Sequence, residues 1–175
     1  MDLTRRGMVL GGLTGALYGW LGRPRVQAET ANREDAIVTE AQFVVCPVGK
    51  VEKDKQQVRL RIFEKYLPAL KGLEGFSHVH VFWWFSKNDT PEKRRILQVH
   101  PRGSKKNPLT GVFATRAPVR PNLIATTVCR IQDIEDHVVT IERIDAFDGT
   151  PILDLKPYIP GADCVKGQVR VPSWL

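Results

Sequence analysis

Apolar and polar positions alternate in short runs along most of this chain, and turn-forming residues separate the runs. Val58-Arg59-Leu60-Arg61-Ile62 repeats with a period of two, as a half-buried strand should. Residues 43–51 are β-rich and predict a preceding strand, with Pro47 marking an edge or a bulge. The polar pair Asp54-Lys55 lies between the two runs, so a hairpin is the simplest arrangement. Residues 65–73 carry Leu67, Leu70 and Leu73, a spacing that predicts a short helix ended by Gly72 or Gly75. Residues 76–85 form a long run of aromatic and β-branched side chains and predict a central strand covered on both faces.

Further on, residues 86–98 are polar and basic, and Thr90-Pro91-Glu92 could open a short helix. Residues 124–131 and 138–144 predict strands joined by an acidic turn over 133–136. A tight turn over 147–151 leads into a last core strand at 152–155, and Val169-Arg170-Val171 is a candidate edge strand. The sum is a mainly β domain with one or two short helices, a sandwich or a barrel.

One stretch breaks the alternation. Residues 111–122, GVFATRAPVRPN, combine two arginines four apart with small residues and prolines. The Ala117-Pro118 and Arg120-Pro121 steps each push the preceding residue to extended geometry, so this segment is a stiff loop. It presents Arg116 and Arg120, whose guanidinium forks match carboxylate or phosphate.

The first 28 residues read differently from the rest. Arg5-Arg6 precede an apolar, glycine-rich stretch over 8–21, which is too short to span a bilayer stably. Val26-Gln27-Ala28 then offers a small-residue cleavage site. The expected organisation is a twin-arginine signal segment over 1–28, a linker over 29–42, and a folded domain over 43–175. Such a leader is an address for export, not an anchor.

The net charge is +7, and the leader supplies part of it; the rest of the chain holds 22 basic and 18 acidic residues. That excess permits a nucleic-acid or phosphate partner without demanding one. Cys46, Cys129 and Cys164 are widely spaced with no C-x-x-C pair, which argues against a zinc site. They read as small hydrophobes, with one bridge conceivable in an exported protein. His78 and His80 share one strand face and read as hydrogen-bonded members of the wall rather than metal ligands. No G-x-G-x-x-G follows a strand, so a Rossmann-type methyltransferase is unsupported.

Three ordered blocks, GLEGFSHVHVFWWF (72–85), GVFATRAPVRPN (111–122) and DGTPILDLKPYIP (148–160), resemble the TsaA-like family, which includes TrmO-type tRNA methyltransferases. The resemblance covers roughly residues 45–163. It implies a single-domain β-barrel, often paired as a homodimer, that binds S-adenosylmethionine near the subunit boundary and methylates a modified adenosine of tRNA. Set beside the leader, it also leaves open an exported barrel that binds another small anionic ligand. A cytoplasmic function and an export signal point to different compartments.

The cofactor residues it implies are Arg116 of the F-A-T-R block, Ser86 and Lys87 after the central strand, Thr126, and the Asp148-Gly149-Thr150-Pro151 loop. The substrate residues it implies are Arg102, Arg120, Asn122 and Lys156. Adenosine's amine is a weak nucleophile, and a carboxylate accepting one N–H bond would help it; Asp148 and Asp154 are placed for that role. Asp154 and Tyr158 of the matched K-P-Y block are the candidate catalytic residues. The arginine strip and the Asp148 turn are expected to face each other across a nucleoside-sized pocket. Departures from the family pattern are Leu123 for a proline, Ala125-Thr126-Thr127 for G-L-S, Ser86-Lys87 for a histidine and a polar residue, and a short turn where an early cofactor loop is usual.

Overall fold

A computed structural model describes residues 42–175, so the twin-arginine segment and all but the last residue of the linker lie outside the described residues. Among the described residues there are eight strands. Six of them, β1 (Gly49–Lys53), β2 (Val58–Ile62), β3 (His78–Trp84), β6 (Ile124–Glu135), β7 (Val138–Ile141) and β8 (Pro151–Pro157), close into a barrel in the order β1-β2-β7-β6-β3-β8. β4 (Gln98–Val99) and β5 (Thr110–Gly111) form a small separate ladder. The expected barrel is thus the observed one.

Closure follows from the period-two pattern. Val51, Leu60, Val79, Val81, Val139, Ile141 and Ile152 point inward and are almost fully buried, while their neighbours along each strand face out. Each such aliphatic side chain contributes about 1.5–3 kcal/mol relative to exposure. β1 and β2 approach so closely that a Cβ on Gly49 would meet the Arg61 carbonyl oxygen at 2.4 Å, which explains the glycine. Bulges in β8 opposite Phe82/Trp83 and in β6 between Ile131 and Asp133 bend the strands around the barrel.

Several expectations shift. Residues 43–45 are exposed and non-regular, and β1 begins only at Gly49. Their apolar character does not find a partner strand in the described chain. The predicted helix over 65–73 is instead a 3-10 helix, Glu64–Leu70, followed by a second one, Leu73–Gly75. Pro68 inside the first removes a donor and prevents a regular α-helix, and Gly72 at φ 91 breaks the two apart. β3 is covered on one face only: Val79, Val81 and Trp83 are buried, and His78, His80, Phe82 and Trp84 are half-buried on the outer face. β6 runs through the predicted turn, which tightens to Asp136-His137 with Asp136 at φ 50. Asp is one of the residues that tolerate that region. Residues 169–171 form no strand.

The short helix Pro91–Arg94 does open as predicted, with Thr90 Oγ1 accepting from Lys93 N. No helix among the described residues is long and apolar enough to cross a membrane. Cys129 is buried, and burial pushes its thiol up to about 11. Cys46 and Cys164 are free and exposed, so only Cys129 serves as a small hydrophobe.

Candidate functional site

The GVFATRAPVRPN stretch lies across one side of the barrel and is fixed from both ends. Val112 is 2% exposed, and its amide donates to the Leu97 carbonyl, 2.9 Å. At the other end Leu123 is fully buried, and its carbonyl accepts from Phe85 N, 2.8 Å. Between them Thr115 organises the turn: Oγ1 donates to the Val112 carbonyl at 3.0 Å and accepts from Ala117 N at 3.2 Å. Arg120 Nη1 donates to the Thr115 carbonyl, which ties the second arginine back onto the same turn.

An external brace holds the proline end. Asp89 accepts from Trp84 Nε1 at 3.0 Å and from Arg94 Nε at 2.8 Å, and Arg94 Nη1 donates to the Pro121 carbonyl at 3.1 Å. The Arg94 guanidinium also lies 5.2 Å from the Trp84 ring centre. Arg94, and after it the Trp84 indole, hold the Asp89 carboxyl below its ordinary range.

Beneath this loop is an open cleft of about 870 Å³. Its walls come from the end of β3, residues 85–88, the arginine loop, the start of β6, and residues 143–150. Ser86, Lys87, Arg116, Arg120, Thr126 and Thr150 all line it, so six of the residues singled out from the sequence converge. Thr150 is only 3% exposed and sits where β8 begins. Lys87 Nζ lies 3.6 Å from the Phe147 ring centre. Arg143, Asp145 and Phe147 complete the wall, and Asp145 is the sole acidic side chain among the lining residues. The electrostatic character is therefore cationic, with apolar and aromatic surface from Trp84, Ile124, Val128 and Phe147.

The sequence reading did not single out Arg143, Asp145 and Phe147. The signal was available: Ile144 and Ala146 are buried, so the odd positions from 143 to 147 face the other way by simple alternation. A second groove, about 1190 Å³, adjoins the cleft and shares Thr115, Arg116, Pro118 and Asp145 with it. Arg102 lies in this groove. Its backbone sits at φ 56, a left-handed conformation that costs a non-glycine residue about 1–2 kcal/mol.

Other expected site residues are placed elsewhere. Asp148 does not face Arg116. Its Oδ1 accepts from Lys53 N, 2.8 Å, and Gly149 N donates to the Val51 carbonyl, 2.8 Å, so the D-G-T-P turn is stitched onto β1. Asp148 and Gly149 line a separate polar depression of about 290 Å³ with Lys50, Glu52 and Arg59. Gly149 at φ 75 supplies the left-handed turn, and Pro151 pairs with Lys50 at the start of β8. The turn thus divides its residues between two sides, with Thr150 alone reaching the cleft.

Asp154 and Lys156 are ion-paired with each other at 2.7 Å, and Asp154 borders an apolar cavity of about 320 Å³ beside residues 66–73. Lys156 Nζ is 5.9 Å from the Phe82 ring centre, on the outer face of the sheet. Tyr158 is stacked on His80, 5.6 Å between centroids, and donates its amide to the His78 carbonyl. Neither candidate catalytic residue lines the cleft, because β8 carries them along the barrel away from its start at Pro151. Asn122 is exposed beside the buried Leu123 and does not line the cleft. His78 Nδ1 is 2.9 Å from Ser77 Oγ and His80 Nε2 is 3.4 Å from an Asp163 carboxylate oxygen. Among the described residues no cluster of three or more His, Cys, Asp or Glu is placed to hold a metal.

Known proteins resemble this chain over most of the described domain. Residues 41–164 match the tRNA-methyltransferase O N-terminal domain family. The chain is 45% identical over 124 residues to a probable S-adenosyl-L-methionine-binding protein of Methanocaldococcus jannaschii, covering 71% of this chain and 98% of that protein. It is 40% identical over 108 residues to the tRNA (adenine(37)-N6)-methyltransferase of Mus musculus, covering 61% of this chain but only 24% of that enzyme. Among solved structures, TrmO from Pseudomonas aeruginosa superposes with a TM-score of 0.57 at 29% identity, covering 74% of this chain and 62% of that one. This chain therefore spans less than two thirds of the solved relative and about a quarter of the mouse enzyme.

Proposed function

The chain belongs to the tRNA-methyltransferase O N-terminal domain family, and from that premise we propose that its cationic cleft binds S-adenosylmethionine and that the protein methylates an adenosine of tRNA. The observation that carries this reading is the convergence of Ser86, Lys87, Arg116, Arg120, Thr126 and Thr150 on one cleft. Relatives named as S-adenosyl-L-methionine-binding proteins and tRNA methyltransferases support it.

The residues present suit such a ligand. A cleft of about 870 Å³ lies in the size range of small-molecule sites. Trp84, Ile124, Val128 and Phe147 supply apolar surface for a purine and its ribose. Arg116 and Arg120 offer forks to a carboxylate, with Lys87 as a further cation. Asp145 is the acidic group available to a positive centre or to an amine N–H, a role the sequence reading gave to Asp148 and Asp154.

When bound, S-adenosylmethionine supplies a methyl group on a sulfonium. The chain's part is to hold the acceptor in line and exclude competing water, and positioning of this kind contributes most of the rate in such transfers. The Asp89–Arg94–Pro121 brace keeps the arginine loop preorganised, which lowers the entropy lost on binding.

Titration calorimetry of the full chain tests the reading. Wild type should release or take up heat with S-adenosylmethionine, and Arg116→Ala should bind roughly 10- to 150-fold more weakly, the equivalent of about 1.5–3 kcal/mol for a charged hydrogen bond. No heat at millimolar cofactor ends the proposal. A modified adenosine as acceptor and pairing of two copies belong to the same proposal, whereas export by the leader belongs to the alternative, an exported barrel that binds another small anionic ligand without methylating tRNA. Mass spectrometry of methylated tRNA, sedimentation and a reporter fusion of residues 1–30 check them in turn.

A further inference from the structure

Beyond β8 the chain crosses from the outer face of the barrel to the groove beside the cleft, with little holding it between. Tyr158 N donates to the His78 carbonyl at 3.0 Å, and the short helix Pro160–Asp163 follows. One Asp163 carboxylate oxygen accepts from Ile159 N at 2.6 Å, and the other lies 3.4 Å from His80 Nε2. From there the hold is lost. Residues 164–173 are all exposed, and among the described residues no backbone hydrogen bond involves residues 165–171. Val165, Val169 and Val171 find no cover.

Contact resumes at the far end. Leu175 N donates to the Pro172 carbonyl at 3.2 Å, which folds residues 172–175 into a tight turn. Trp174 is half-buried, alone among residues 164–175, and with Leu175 it lines the groove. The Leu175 carbonyl accepts from Arg102 Nη2 at 2.6 Å.

The seat is built, whereas its occupant is loose. Arg102 and Gly103 hold consecutive left-handed conformations, φ 56 and φ 68, in a loop that other contacts fix. Asn107 Nδ2 donates to the Pro101 carbonyl at 2.8 Å, His100 Nδ1 is 2.8 Å from the Asn107 carbonyl, and Pro101 is buried. On the arginine-loop side the groove is anchored through Val112 to the Leu97 carbonyl. One indole and one hydrogen bond hold the tail in this groove. Such a segment comes and goes, because release frees the backbone of its last turn and breaks few contacts.

The groove shares Thr115, Arg116, Pro118 and Asp145 with the cleft. Whatever nears the cleft from this side meets Trp174 and Leu175 first. We propose that residues 172–175 form an autoinhibitory plug: seated in the groove, they stand in the approach to Arg116 and must leave before the methyl acceptor reaches the cleft. This rests on the proposed function for the identity of what is held back, but not for the plug itself. Affinity for the acceptor is then reduced by the fraction of molecules whose groove is open.

Phenylglyoxal modification of the full chain, mapped by mass spectrometry, tests the seating without any ligand. Arg102 should react roughly three- to tenfold faster in Trp174→Ala than in wild type, as the open fraction rises. Arg143, which lines the cleft and not the groove, should react alike in both. Trp174→Phe should match wild type, and an added peptide of residues 165–175 should slow Arg102 of Trp174→Ala again. Anisotropy with labelled tRNA tests the regulation: Trp174→Ala should bind roughly three- to tenfold more tightly, and excess peptide should reverse the gain. Trp174 lies outside the barrel core, so its loss should leave folding intact, which circular dichroism verifies. Equal Arg102 rates in wild type and Trp174→Ala overturn the inference. So does faster Arg102 modification with unchanged affinity for tRNA. Absence of both tRNA binding and cofactor heat in the two forms sinks the proposed function instead; faster Arg102 modification that the peptide reverses then still supports the plug.

Discussion

Replacing Asp89 by alanine should loosen the arginine loop without touching the cleft. Asp89 makes one hydrogen bond to the Trp84 indole and one to the Arg94 guanidinium, and Arg94 passes the restraint on to Pro121. A hydrogen bond to a charged group is worth about 1.5–3 kcal/mol when shielded. The Asp89 side chain is 41% exposed, so solvent screening reduces each to about 0.5–1 kcal/mol. The pair then contributes about 1–2 kcal/mol, which for a domain of this size corresponds to a fall in Tm of roughly 4–8 °C. Arg94 and Trp84 both favour the ionised carboxylate, so the folded pKa is depressed. The contribution is therefore complete above the ordinary carboxylate pKa and is lost as pH falls through the folded value. Differential scanning calorimetry of Asp89→Ala, Arg94→Ala and the double variant at neutral and acid pH isolates the coupling. Cofactor affinity should fall several-fold in Asp89→Ala, because Arg120 is next to the released Pro121. If the single variants melt with wild type at neutral pH and bind cofactor equally, the brace has no energetic content and the reasoning fails.

Leu123→Ala removes a fully buried side chain under the same loop and should cost about 2–5 kcal/mol in urea unfolding; a cost below about 1 kcal/mol would mean the site collapses without strain. Gly49→Ala should destabilise the β1–β2 contact strongly, since the new Cβ meets a backbone oxygen at 2.4 Å, and an unchanged denaturation midpoint would contradict that close approach. Glu52 is hydrogen-bonded to Arg61 Nε at 2.7 Å, and Arg61 with lesser help from Lys50 lowers its pKa from 4.5 to about 2. Its contribution should be lost as pH falls from about 4.5 towards 2, and Glu52→Gln should flatten that limb of the acid-denaturation curve. A thiol reagent should modify Cys46 and Cys164 in the native protein, with Cys129 reacting only after unfolding; three fast thiols would refute its burial.

Local pattern carried the barrel. Alternation in 58–62 placed β2 to the residue, and the prolines of residues 111–122 fixed an extended, non-helical loop before any contact was known. These are properties of adjacent residues, set by side-chain period and by the proline ring. The matched blocks likewise contained three of the cleft residues, Arg116, Arg120 and Thr150, and the positions just beyond them supplied Ser86, Lys87 and Thr126, because the loops that carry them are close to strand ends. Which way a turn hands its residues was not legible. Asp148 and Thr150 are two apart in one turn, yet Asp148 bonds to β1 while Thr150 enters the cleft, and Asp154, taken for a catalytic group, is ion-paired on another face. That division depends on where β1 lies when the barrel closes, a contact 95 residues away in the chain. The sequence determined the core of the barrel strands, the stiff arginine loop and the family. Only closure of the sheet decided that Asp145, not Asp148, is the acidic side chain between the two cavities, because facing across a gap is set by long-range pairing and not by neighbours in the chain.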